Sequence, residues 1–436
     1  MTSKIPTVGI FTLGCKVNQY ESEAICELFE ENGFTVLSPN EVCDVYVINT
    51  CTVTSESDRK ARQTIRRAIS KNPSAYVLVT GCLAETDPGS ITKIENVDYV
   101  CGNADKSKIV AAAIELVNSG KKNDSPVSDI SDISSAPFEC MKIKKFNRTR
   151  AYIKIEDGCE SHCTYCIIPK ARGKIRSKLP SDVLAEITEL TNGGCREVVL
   201  TGIETGSYKH GKYGLIDLLE DADKIENIGR IRLGSLDPSI MKDDFISRAK
   251  ELKSLTPHFH ISMQSGSDRV LALMKRKYNS SQALKAMQNL REAMPDVMFT
   301  TDMIVGFPGE TEEMFNETVE FVKKARFLNI HVFPYSKRNG TPAAEMPNQI
   351  STAVKHERVI RLSEIEDEIR REILEEVIEK TKTAEVLFED FENGFAYGHT
   401  DNFIEIKLPS DRQKHAELET VKLKSTDGKT ITAETL

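Results

Sequence analysis

From Thr7 to Leu13, Asp44 to Asn49, Ala75 to Thr80 and Val97 to Val100 the chain passes through four short apolar runs. Between them apolar residues recur at helical spacing, as over Glu21–Asn32 and Ser55–Lys71, with Gly33 placed to end the first segment. Continuous apolar runs suit strands covered on both faces, so this alternation predicts a parallel α/β sheet. Ser119 to Pro137 shows no such period. Its Ser and Asp content reads as a linker.

A second alternating series follows, with apolar runs at Ala151–Ile155, Glu197–Thr201, Arg230–Leu233, His258–Met263, Met298–Val305 and Asn329–Pro334. Helical periodicity over Asp182–Thr191, Ser281–Ala293 and Glu310–Lys324 separates several of them. Six β/α units in succession predict a partial (β/α)6 barrel, open on one side. Val354–Lys380 carries dense charge of both signs and reads as a long surface or bridging helix. From Ala384 the pattern changes to short alternating runs, which predict a small antiparallel β-barrel. The expected layout is an N-terminal α/β domain over 1–118, a linker over 119–140, the partial barrel over 141–380 and the β-barrel over 381–436.

A length of 436 residues exceeds one ordinary core and fits this division. Hydrophobic residues are 39% and charged residues 28%, and no apolar stretch approaches the roughly 20 residues needed to span a bilayer. The first residues lead straight into a strand-like run without the apolar core of a signal peptide, so the expected location is cytoplasmic, with no membrane partner. The net charge of −8 gives no general attraction to a polyanion. Any nucleic-acid contact must come from a local basic surface.

Eleven cysteines, an odd number, argue against a disulfide framework and for metal ligation beside some buried thiols. The strongest local pattern is Gly158-Cys159-Glu160-Ser161-His162-Cys163-Thr164-Tyr165-Cys166, just after the first strand of the expected barrel. Three thiolates at this spacing can grip one face of a four-iron cluster, leaving one iron open for another ligand. Structural zinc wants four protein ligands, and His162 is squeezed too tightly between Cys159 and Cys163 to serve easily as the fourth. A second set is distributed: Cys15, Cys51 and Cys82 each lie just beyond the carboxyl end of an expected strand, where open parallel sheets bind ligands. Together they suggest a second cluster with an open iron. Cys101 also ends a strand, so placement alone leaves three or four ligands open, while Cys26, Cys43, Cys140 and Cys195 read as structural.

With Tyr165 before its last cysteine, the loop resembles the signature of the radical S-adenosylmethionine (SAM) superfamily. Nearly the whole chain resembles the methylthiotransferases of that superfamily: a three-cysteine N-terminal domain, a central radical domain and a C-terminal barrel like the TRAM RNA-binding module. Thr12-Leu-Gly-Cys15-Lys-Val-Asn-Gln19 and Asn49-Thr-Cys51-Thr-Val-Thr54 look like the branch acting on threonylcarbamoyladenosine in tRNA. Further matches are His260-Ile-Ser-Met-Gln-Ser-Gly-Ser267, Asp302-Met-Ile-Val-Gly-Phe-Pro-Gly-Glu310 and Pro334-Tyr-Ser-Lys-Arg-Asn-Gly-Thr-Pro342.

The resemblance implies two [4Fe-4S] clusters, a radical one on Cys159, Cys163 and Cys166 and an auxiliary one on Cys15, Cys51 and Cys82, with Cys101 left out. It also implies SAM contacts at Tyr165, Thr201, Gly202, Glu204, Ser235 and Gln264. The hydrogen on carbon 2 of an adenine is too weakly acidic for general-base removal, so sulfur insertion there calls for cofactor radical chemistry. By resemblance, SAM cleaved at the first cluster gives a deoxyadenosyl radical that abstracts this hydrogen, and the auxiliary cluster presents methylated sulfur. An external electron donor such as a flavodoxin is implied, and the sulfur source stays open.

For tRNA contact, Lys142–Lys178 holds eleven Lys and Arg against three acids, and Lys170, Arg172, Lys174 and Arg176 flank the cluster loop. In the C-terminal barrel Phe395, Tyr397, His399 and Phe403 are candidates for stacking on bases. The alternatives are action on isopentenyladenosine in tRNA, action on a ribosomal protein side chain, and a non-catalytic iron–sulfur RNA-binding protein. The ribosomal branch lacks the Lys-Val-Asn-Gln run, and the last would not cleave SAM.

Overall fold

The computed structural model describes residues 5–122, 125–146 and 148–436. Residues 1–4 of the expected first domain, 123–124 of the expected linker and Asn147 lie outside them. The chain forms two compact units. One comprises Met1–Lys144, Lys154–Lys178 and Ser336–Ala344; the other comprises Lys145–Ile153, Leu179–Tyr335 and Glu345–Leu436.

The first unit is built on a six-stranded parallel sheet: β1 (Thr7–Thr12), β2 (Thr35–Leu37), β3 (Val45–Thr50), β4 (Tyr76–Gly81), β5 (Tyr99–Cys101) and β6 (Val127–Asp129), in the order β2-β1-β3-β4-β5-β6. All six residues of β3 are buried, as a strand covered on both faces requires. Helices α1 (Lys16–Glu31), α2 (Ser55–Lys71), α3 (Cys82–Thr86) and α4 (Lys108–Ser119) lie between the strands in sequence. Helix α1 begins five residues before the expected Glu21. Its buried stripe, Val17, Tyr20, Ala24, Ile25 and Phe29, shows that helical spacing already starts at Val17. Part of the expected linker, Val127–Asp129, is the edge strand β6, paired in register with Tyr99–Cys101. Three residues with two exposed side chains are too short and too polar to announce a strand.

This unit also takes in the cysteine loop, which the expected boundaries assign to the radical domain. The loop's neck is a two-residue antiparallel pair, Glu156 with Ser177 and Asp157 with Arg176. It leads into the short helix α5 (Ile168–Arg172).

The second unit carries the barrel strands β7 (Ala151–Lys154, whose last residue belongs to the first unit), β8 (Glu197–Thr201), β9 (Arg230–Leu233), β10 (His258–Gln264), β11 (Met298–Val305) and β12 (Asn329–Pro334). They form two three-stranded sheets, β9-β8-β7 and β10-β11-β12. A bridge at Leu236 and Ile261 continues one into the other, with Leu236 N–H donating to the His260 carbonyl and Ser262 N–H to that of Leu236, both at 2.9 Å. Helix α6 (Thr352–Lys380) leads to a closed barrel of β13 (Thr383–Glu392), β14 (Phe395–Thr400), β15 (Glu405–Pro409), β16 (Leu418–Thr426) and β17 (Ile431–Thr435). Its strand pairs are antiparallel except β15 with β17.

The small barrel is anchored within this unit by Phe403. Its ring stacks between His258 and His399, each centroid 4.5 Å away, with the Arg232 guanidinium 4.8 Å from its centre. Arg150 donates to both carboxylate oxygens of Glu389, at 2.7 and 2.5 Å, and to Glu197 at 2.6 Å. Among the described residues no helix is long and apolar enough to cross a membrane.

Candidate metal centres

Backbone geometry makes the Cys159–Cys166 loop tight. Gly158 takes a φ of +89°, and a Cβ there would stand 2.0 Å from the Lys174 carbonyl oxygen, so only glycine fits the neck. Cys159 N–H donates to the Gly173 carbonyl at 3.1 Å, and Cys166 N–H to that of Cys163 at 3.0 Å. His162 sits in the left-handed region at φ +49°, the turn that lets the chain double back between two cysteines. Ser161 N–H lies 3.4 Å from the Cys159 sulfur.

Cys15, Cys51 and Cys82 sit where β1, β3 and β4 hand over to α1, to the loop before α2 and to α3. Gly14 and Gly81, immediately before Cys15 and Cys82, both take a φ of +98°. A Cβ on Gly14 would stand 2.8 Å from the Cys51 sulfur, and one on Gly81 2.4 Å from the Thr50 carbonyl oxygen. The glycines let three strand ends converge. Burial does most to raise the pKa of Cys15 and of Cys51, the latter to about 11, and the charge of Cys82 raises both further. Cys101 responds instead to burial, to a hydrogen bond with Thr80 and to the charges of Lys106, Glu139 and Asp129.

Among the described residues no group of three or more His, Cys, Asp or Glu is gathered around one point as a single metal ion requires. A four-iron cluster spreads its thiolates over separate irons. The donor set, soft thiols alone on tight glycine-cradled loops, fits such a cluster at both places.

Between the two sets lies a group of buried ions that pattern reading missed. Arg172 is fully buried and donates to Glu21 at 2.8 Å, to Asp157 at 3.1 Å and to the Asn18 side-chain oxygen at 2.5 Å. Lys154 donates to Glu21 at 2.8 Å, and Lys106 also pairs with Glu21. Burial disfavours the charge on Glu21, but Arg172, Lys106 and Lys154 overcome it and hold the carboxyl well below its usual range. Asn18 donates in turn to the Leu13 and Thr50 carbonyls, at 2.7 and 3.0 Å, just before Cys15 and Cys51. Asn103 donates to the Ala171 carbonyl at 2.7 Å and lies 3.6 Å from the Cys82 sulfur. Arg338, in the Pro334–Pro342 run, pairs with Asp58 and Thr52 beside Cys51. Asn18 and Arg338 stood inside quoted runs, but nothing in the sequence assigned them these partners.

The expected SAM residues Thr201, Gly202, Glu204, Ser235 and Gln264 follow or end three neighbouring strands, β8, β9 and β10. A Cβ on Gly234 would stand 3.0 Å from the Thr201 hydroxyl, so the loops after β8 and β9 are in close contact. Gln264 has a φ of +68°, unusual for a residue with a side chain. Tyr165 is half-buried in the cysteine loop.

The basic set needs correction. Arg172 is 0% exposed and paired with Glu21 and Asp157, so it cannot lie on a phosphate backbone. Arg176 is mostly buried, donates to the Arg172 carbonyl at 2.9 Å and faces Asp157 at 3.5 Å. Lys170 and Lys174 are exposed, with the Lys170 ammonium on the Gly340 carbonyl at 2.8 Å. Of the barrel aromatics, Phe403 and His399 are occupied in the stack with His258, and His399 also bonds Glu389 at 2.5 Å. Phe395 and Tyr397 lie on the outward, half-exposed face of β14.

Residues 153–322 match the radical SAM superfamily, and residues 7–102 match an uncharacterized protein family, UPF0004. The threonylcarbamoyladenosine tRNA methylthiotransferase MtaB of Bacillus subtilis is 42% identical over 408 residues, covering 92% of this chain and 90% of that one. The MtaB of Aquifex aeolicus is 37% identical, covering 92% and 96%. A tRNA-2-methylthio-N(6)-dimethylallyladenosine synthase of Paenarthrobacter aurescens is 37% identical, covering 85% and 73%. Among solved structures, the radical SAM methyltransferase TsrM of Kitasatospora setae, with cobalamin and a [4Fe-4S] cluster bound, shares the fold at a TM-score of 0.57 and 14% identity, covering 77% of this chain and 76% of that one.

Proposed function

The chain belongs to the radical SAM tRNA methylthiotransferases, and from that premise we propose that it adds a methylthio group to carbon 2 of N6-threonylcarbamoyladenosine at position 37 of tRNA. The observation that carries this reading is the presence of two glycine-cradled sets of three cysteines in one compact unit. Relatives acting on threonylcarbamoyladenosine, at 34–42% identity, favour that nucleoside over the dimethylallyl one, whose relatives reach 33–37%.

Cys159, Cys163 and Cys166 would hold the radical cluster, and Cys15, Cys51 and Cys82 the auxiliary one. When bound, these groups with SAM supply one-electron chemistry and sulfur that no side chain can provide. The protein's own work is placement. The Glu156–Ser177 neck fixes the first loop, and Asn18 ties the loops bearing Cys15 and Cys51 to Arg172. Thr201, Ser235 and Gln264, at the carboxyl ends of adjacent strands, would contact SAM in the crevice such sheets use. Exposed Lys170 and Lys174 supply the phosphate contacts, and Phe395 and Tyr397 the base-stacking surface of an RNA-binding barrel. The enzyme acts in the cytoplasm and draws electrons from a flavodoxin-like donor.

Nucleoside mass spectrometry of tRNA from strains with and without the gene tests the assignment. The methylthio form of threonylcarbamoyladenosine should vanish in the deletion strain and return on complementation. Loss of the methylthio form of the dimethylallyl nucleoside instead would assign the enzyme to the other branch. Anaerobically reconstituted chain should release deoxyadenosine above a Cys163→Ala control; no release would eliminate every enzymatic reading.

A further inference from the structure

The densest feature of the first unit outside the cysteines is its group of buried ions. Three cations, Lys106, Lys154 and Arg172, face two carboxylates, Glu21 and Asp157, an excess of one positive charge. Four further buried charged residues in the same unit, Lys178 and Arg338 against Glu156 and Asp98, cancel and leave the excess unchanged. Arg176, Glu85 and Glu139, the last accepting from the Lys106 and Ser107 N–H groups at 3.1 and 2.8 Å, lie at the edge, only partly buried and within reach of solvent screening. A buried cation without its counter-charge is strongly unfavourable, so an anion should complete the group.

Two observations indicate where that anion belongs. Arg172 donates to the Asn18 side-chain oxygen at 2.5 Å, Asn18 in turn holds the Leu13 and Thr50 carbonyls just before Cys15 and Cys51, and the buried Nε of Arg172 has no hydrogen-bond partner among the described residues. The amide of Asn103 lies against the Cys82 sulfur while bonded to Ala171, the neighbour of Arg172.

We propose that Arg172 is a positioning residue for the auxiliary cluster, its charge completing the buried group only when that cluster is bound and raising the cluster's reduction potential. Three thiolates around a four-iron core of charge two-plus leave one net negative charge, the complement of the excess. Cluster potentials follow net charge and hydrogen bonding near the sulfurs, so a fixed cation favours the reduced state. The proposal rests on Cys15, Cys51 and Cys82 being the ligands.

The test uses the full chain with Cys159, Cys163 and Cys166 changed to Ala, reconstituted with iron and sulfide so that only the auxiliary cluster forms. Iron is counted and the midpoint measured by a redox titration followed by electron paramagnetic resonance. Arg172→Gln should lower the reduced-to-oxidised ratio at a fixed poise by about tenfold, ~59 mV for a one-electron couple. Glu21→Gln, which removes a negative charge from the same group, should move the midpoint the opposite way, and Arg172→Lys should stay near the parent. A purely structural role would lower iron content in both neutral variants without opposite shifts. Equal midpoints, or shifts of one sign, in fully loaded variants overturn the proposal alone. If Arg172→Gln does not fold, the upward shift of Glu21→Gln and the near-parent value of Arg172→Lys decide. Absence of iron from the parent overturns the ligand assignment and the proposal together.

Discussion

Replacing Arg338 by Ala should strip the chain of its auxiliary iron and leave the radical site loaded. The guanidinium joins Asp58 to Thr52, the residue after Cys51, and Thr52 also donates to Asp58 at 2.7 Å. Removing one partner of a buried ion pair costs roughly 3–5 kcal/mol. The side chains here are 10% and 15% exposed, so about 3 kcal/mol is the appropriate magnitude. The cost falls on the loop from Cys51 to Thr54, which carries no regular secondary structure. At 1.4 kcal/mol per decade, its open population should rise on the order of a hundredfold. Hydrogen exchange should show faster labelling of the peptide containing Cys51. Iron should fall from about eight to about four per chain, given two four-iron clusters, and an added chelator should remove the auxiliary iron first. Unchanged exchange at Cys51 with full iron would refute the claim that Arg338 holds this loop.

Phe403→Ala should cost roughly 2–4 kcal/mol, from lost stacking on two imidazoles and a half-buried ring, seen as earlier proteolysis of the C-terminal barrel with iron retained. Phe395→Ala should leave that resistance intact and weaken tRNA binding; the reverse pattern would exchange the two roles. Cys82→Ser should lose the auxiliary cluster and Cys101→Ser should keep it, by iron and sulfide counts. Burial works against the charge of Glu389, yet hydrogen bonds from His399 and Arg150 hold it at about 2 against an ordinary 4.5. A depressed carboxyl contributes stability above its unfolded value and loses it as pH falls, so thermal unfolding of the second unit should move down between about pH 4.5 and 2. Glu389→Gln should flatten that decline.

Elements that repeat a pattern over several turns or strands were legible: the β1, β3, β4, β5 series, the six barrel strands and α6 all lie where their periodicity places them. Strands β2 and β6 were not, because three residues at a sheet edge need only backbone partners and carry no pattern of their own. Cysteine candidates were legible because thiols are rare and their spacing, or their place after a strand, is informative. Their supports were not. Nothing local separates Glu21, on a helix with several acids, from Glu23 or Glu27, although only Glu21 is held by three buried cations.

Arg172 shows the limit most sharply, because its sequence context argued for the opposite role. It stands between Lys170 and Lys174, and a run of cations beside a reactive loop reads as an RNA surface. Helix α5 turns that run about its axis, so Lys170 faces outward while Ala171 and Arg172 go into the interior. Burial alone would make the arginine a liability; Glu21 and Asp157 offset it, but they are shared with Lys106 and Lys154. The excess of the group becomes intelligible once a cluster on Cys15, Cys51 and Cys82, to whose loops Arg172 is tied through Asn18, is counted as part of the same electrostatic group. Folding and cluster binding are then coupled through one guanidinium: the apo chain carries a buried charge that the loaded chain neutralises, so assembly of the auxiliary centre should stabilise the first unit beyond what three metal–thiolate bonds contribute.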